Sequence, residues 1–146
     1  MQVLAVLFGS LVLYRAVGAV GVSLFCNWIV SARFALATMF VFTAASHFAP
    51  MKRDLIAMVP LGLPRPDLLV FATGVLEVAG AVGLLFEATR FWAACGLILL
   101  MAAMLPANVS AARRGVGIRG RRATPLWLRV PMQALFMVWA LSLIHI

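Results

Sequence analysis

Apolar residues fill five stretches of this chain, and polar residues, glycine and proline gather in the gaps between them. The stretches cover about 2–20, 31–48, 68–86, 91–107 and 130–146, each near the ~20 apolar residues that a helix needs to cross a bilayer. The pattern predicts an all-α, polytopic membrane helical bundle forming a single transmembrane domain over 1–146.

The gaps carry their own signals. Gly18 and Gly21 loosen the chain after the first stretch, and Pro50 stops the second because it cannot continue the hydrogen-bond ladder. Lys52, Arg53 and Asp54 then precede Leu55, Ile56, Met58 and Val59, a pattern that fits a short interfacial helix ended by Pro60, Pro64 and Pro66. Residues 87–90 form so short a connection that the fourth helix must return antiparallel beside the third. Pro106 is expected to end or kink that fourth helix, and Trp127 with Arg129 marks an interfacial entry into the fifth.

Composition agrees with the pattern. Of 146 residues, 65% are hydrophobic and 11% charged, outside the usual soluble range. The net charge of +8 does not point to nucleic acid, because half of the 12 basic residues (Arg113, Arg114, Arg119, Arg121, Arg122, Arg129) crowd one interhelical loop and no aromatic-basic motif accompanies them. Cys26 and Cys95 lie far apart without a C-x-x-C or metal-ligand spacing, which argues against thiol redox chemistry and structural zinc. The methionines read as packing in apolar helices.

The first residues lack a basic n-region and a small-residue cleavage site, so they read as a retained helix. Leu141, Ser142, Leu143, Ile144, His145 and Ile146 match the translation of a common transposase-based sequencing adapter, which would place the natural end near Ala140 and deprive His145 of functional weight. With five spans, the N-terminus, the Lys52 loop and the 113–129 loop share one side. That side is much the more basic, and it is expected to face the cytoplasm.

Glu77 is the residue that most demands an explanation. It sits within the apolar run 68–86, where an ionisable group costs a few kcal/mol to insert, on the order of the penalty at a helix centre. Thr73, Gly74, Gly80 and Ala81 occupy the neighbouring i±3 and i±4 positions, a small-residue face expected to point into the bundle. His47 closes the second helix and Asn108 follows Pro106, both near the same boundary. Glu77, His47, Thr73 and Asn108 are therefore the candidate pocket or proton-exchanging residues, with Arg33 a candidate ion-pair partner for Glu77. One reading gives them a pocket for a quinone, lipid or other amphiphile. The other makes Glu77 a neutral structural carboxyl bonded to Thr73, Arg33 or a backbone carbonyl, His47 an interfacial hydrogen-bonding residue and Arg33 an anchor. No catalytic residue or metal ligand is assigned. An acid–base enzyme using Glu77 and His47 ranks last because no nucleophile or metal accompanies them.

The segments RFALATMFVFTAASHFAP (33–50), DLIAMVP (54–60), TGVLEVAGAVGLL (73–85) and LPAN (105–108) together resemble the DoxX-like family of small bacterial membrane proteins, over about 31–140. The resemblance implies a four-helix core to which the first helix is an N-terminal addition. It also implies an accessory or membrane-anchor role beside an oxidoreductase subunit, as in thiosulfate-to-quinone systems or the maturation role of the related MauE proteins, within a redox or stress-linked system. A quinone is the one cofactor in view. The rival is a small transporter or lipid-binding protein that uses Glu77 protonation, and self-association of the bundle is compatible with either.

Overall fold

The computed structural model describes residues 2–117 and 124–143. Arg119, Arg121 and Arg122 of the basic loop, and Ile144, His145 and Ile146 of the tail, lie outside the described residues. Leu141 and Ser142 complete the last helix, and Leu143 is buried.

Among the described residues the structure is entirely helical. The α-helices are α1 (Gln2–Ala19), α2 (Trp28–Phe48), α3 (Lys52–Met58), α4 (Pro66–Gly83), α5 (Glu87–Arg114) and α6 (Leu126–Ser142), with a 3-10 turn at Ser23–Cys26. Four of them, α1, α2, α4 and α5, are long and apolar enough to cross a membrane, whereas α6 is a shorter apolar helix. The amphipathic segment after Pro50 is helical as α3.

Helix α2 organises the bundle. It packs on α1 and α4 and touches α6, while α4 packs on α5 and α5 on α6. Nine of its 21 residues are buried, including Leu36, Met39 and Phe40 of the core. The outward faces carry Leu13, Phe42, Phe71, Leu99 and Val138 in the open, an apolar exterior that hydrocarbon would accept and water would not.

Several ends fall elsewhere than the pattern predicts, each for a local reason. Helix α2 starts at Trp28, because the Asn27 side chain accepts the Ile29 amide at 2.8 Å and caps it. The tight α4–α5 connection is 84–86, so the 87–90 segment read as a connection is the first turn of α5. Pro106 does not end the helix, which continues through Asn108 to Arg114. A proline removes one backbone donor and leaves the carbonyl four residues earlier unbonded. The Met101 carbonyl, one residue before that one, accepts the side-chain amide of Gln133 of α6, a contact that ties α6 to α5 beside the proline.

Two arginines fasten the ends. Arg15 donates to the Phe25 and Cys26 carbonyls at 2.8 and 2.6 Å and lies over the Trp28 ring. Arg114 donates to the Ala57, Met58 and Val59 carbonyls at 2.8–3.0 Å, satisfying acceptors that the last turn of α3 leaves open.

Candidate functional site

The α2–α4 contact can form only because α4 presents a glycine to it. A β-carbon on Gly74 would lie 2.6 Å from the His47 β-carbon, so the bare backbone lets the helices approach closely. Gly80 and Gly83 do the same toward Leu97 and Ala93 of α5. The small-residue face of α4 is thus divided, with Gly74, Glu77 and Ala81 buried and Gly80 turned to α5.

Close approach brings three of the candidate residues together. His47 Nδ1 lies 2.7 Å from the Val70 carbonyl and 3.2 Å from Thr73 Oγ1. A carbonyl can only accept, so Nδ1 carries a hydrogen and donates it. In the neutral imidazole this leaves Nε2 as a bare acceptor, and Nε2 faces Glu77 Oε1 at 3.8 Å. Both residues are at least 95% buried.

Thr43, one helical turn before His47 on the same face of α2, completes the group. Its hydroxyl oxygen is 2.9 Å from Glu77 Oε2 and 3.0 Å from the Phe40 carbonyl. The hydroxyl has one hydrogen, and the carbonyl can only accept. With Glu77 ionised, Thr43 must share its single hydrogen between the two acceptors, whereas with Glu77 protonated both become full two-centre bonds, Glu77 donating to Thr43 while Thr43 donates to Phe40. An ionised Glu77 would compete with Phe40 for that hydrogen. The arrangement that satisfies both Thr43 contacts is therefore a neutral carboxyl beside a neutral imidazole, which is also the arrangement that burial favours.

Thr43 could have been found in the sequence from its i, i+4 spacing to His47. The signal was obscured because threonine is common in apolar helices.

Asn108 is not in this group. It accepts from Arg129 at 3.0 Å and donates to Gln133 at 3.3 Å, forming a second polar cluster between α5 and α6. Extending α5 past Pro106 turned it from a helix-end residue into a side chain facing α6.

Arg33 is not the partner of Glu77 either. It precedes Thr43 by ten residues on α2, a rise of about 15 Å, whereas the groups beside the Glu77 carboxyl are Thr43 and His47. Two shallow grooves mark the surface, of about 350 Å³ between α4 and α5 and about 620 Å³ along α5. Neither is lined by Glu77 or His47. Among the described residues no three His, Cys, Asp or Glu side chains converge.

Among the described residues, the fold and site are those of an all-helical protein with four helices of membrane-spanning length and a buried His–Glu pair between two of them. The chain belongs to the family described as Domain of unknown function (DUF8561), which matches residues 36–144. No curated protein and no solved structure matches it.

Proposed function

We propose that the chain is a DoxX-like integral membrane protein of the bacterial inner membrane, acting as an accessory or anchor subunit of a redox or stress-linked system. In this reading α2, α4, α5 and α6 are the four-helix core and α1 is an N-terminal addition. That division is supported by the family match, which begins at Leu36 and leaves α1 outside it. The apolar exterior supports residence in lipid.

One observation carries the functional reading. The His47–Glu77 pair is buried, hydrogen-bonded through Thr43, Thr73 and Val70, and separate from both grooves. Such a pair can hold and exchange a proton inside the bundle while a partner subunit performs electron transfer. A quinone-type ligand would lie on the α4–α5 groove, whose wall includes Leu76 and Gly80.

The same pair favours a second reading, a small transporter or amphiphile-binding protein driven by Glu77 protonation. Purification of the tagged full-length chain from its native membranes in mild detergent separates the two. The anchor reading expects an equimolar flavin- or haem-bearing subunit to accompany it. A chain that purifies alone and moves protons in proteoliposomes carrying an internal pH dye would overturn that reading in favour of transport.

A further inference from the structure

The end of the bundle opposite Lys52 and Arg113 holds three arginines, Arg15, Arg33 and Arg90, which the helix order places together on that side. Arg15 also keeps an unpartnered Nε–H, but its guanidinium is met by two carbonyls and an aromatic face. The other two are not so provided for. Arg33 is 92% buried with its Nε–H unpartnered, and the Arg90 side chain, 13% exposed, also has an unpartnered buried Nε–H.

The two belong to one electrostatic neighbourhood. Antiparallel register sets Arg33 of α2 level with the 84–86 connection, because Thr43 bonds Glu77 and His47 bonds Val70 farther down the same contact. Arg90 occupies the first turn of α5 immediately beyond that connection, and Arg33 interacts electrostatically with both Arg90 and Glu87. Among the described residues Glu87 is the one carboxylate side chain at that end, and it is a weak counter-ion. Its side chain is 92% exposed and sits 3.4 Å from Arg90. The N-terminus of the 28-residue α5 adds positive potential, and Phe86 supplies no side-chain cap to it.

We infer that Arg33 and Arg90 form a binding site for a phosphate-type oxyanion at this boundary of the bundle. Two guanidiniums, each with a free Nε–H donor, match the several oxygens of a phosphate. A bound oxyanion would relieve the repulsion between the two cations and satisfy donors that burial has removed from water. The same chemistry is offered by an anionic phospholipid headgroup and by a free phosphate.

The test uses the purified full chain. Thermal unfolding in detergent is followed with inorganic phosphate against chloride at equal ionic strength. Native mass spectrometry then scores lipid retained from nanodiscs of phosphatidylglycerol mixed with phosphatidylcholine. Arg33→Gln and Arg90→Gln are expected to weaken the binding at least ten-fold, whereas Arg53→Gln, on an exposed position of α3, leaves it unchanged. Stabilisation by inorganic phosphate identifies a free oxyanion. Retention of phosphatidylglycerol without a phosphate effect identifies a headgroup. Should Arg33→Gln fail to accumulate, Arg90→Gln and the charge-keeping Arg33→Lys decide the matter. Wild-type protein that binds neither probe, or glutamine variants that bind like wild type, would overturn the site.

Discussion

His47 presents Nε2 to Glu77 Oε1 at 3.8 Å across the α2–α4 contact, while its other ring nitrogen is held by the Val70 carbonyl. The ring is thereby fixed in one tautomer, and the spare acceptor points at the carboxyl. At 3.8 Å the two groups are in contact without a direct hydrogen bond.

The hydrogen count at Thr43 predicts how Glu77 responds to substitution. Glu77→Gln keeps the size of the side chain and a donor for Thr43, so membrane accumulation should match the wild type. Glu77→Ala removes the donor and opens a cavity, and should lower stability by about 1–3 kcal/mol with reduced accumulation. Equal accumulation of both variants would show that the Thr43 contact contributes nothing to folding. If Glu77→Gln accumulates normally yet loses function, proton exchange at the carboxyl is required.

His47→Asn retains a donor near the Val70 carbonyl but removes Nε2. Combined with Glu77→Gln in a double-mutant cycle, it should show non-additivity of about 0.5 kcal/mol or more in detergent unfolding, as expected of side chains in contact. Strict additivity would mean that imidazole and carboxyl are neighbours without coupling.

Glycine substitutions should divide by what the new β-carbon meets. Gly74→Ala forces the carbon to within 2.6 Å of His47 and should cost about 1–3 kcal/mol through overpacking. Gly96→Ala meets nothing within 4 Å and should be neutral or stabilising by up to about 1 kcal/mol, since alanine is the better helix former. Comparable losses at both positions would contradict the close α2–α4 approach.

Removing Arg114 should release α3. Arg114→Ala leaves the Ala57, Met58 and Val59 carbonyls without their guanidinium, so amide exchange across 52–59 should accelerate while α2 and α4 keep their protection. Uniform acceleration would indicate instead that Arg114 holds the whole bundle.

Side assignment is tested with reporter insertions after Leu85 and after Gly117. Leu85 lies in the α4–α5 connection, whereas Thr89 is inside α5 and donates to the Gly83 carbonyl. The two insertions should report opposite sides, with Gly117 cytoplasmic because its flank holds most of the arginines. The same side for both would require that α5 does not cross.

Hydropathy is a local sum, and it was sufficient to specify a helical chain with membrane-length apolar segments, an amphipathic helix after Pro50 and a carboxyl at Glu77 that needed a partner. The nature of that partner depended on helix rotation and register, which no run of residues encodes alone. Gly74 sets the α2–α4 distance, and that distance selects Thr43 and His47 for Glu77 while leaving Arg33 about ten residues away along α2. Pro106 reads as a stop in sequence because its own lost donor is visible there. The continuation of the helix, with Gln133 of α6 bonded beside the proline at Met101, is visible only after folding, and it carries Asn108 into a different polar cluster. Local chemistry thus determined which residues required satisfaction, and tertiary packing decided what satisfied them.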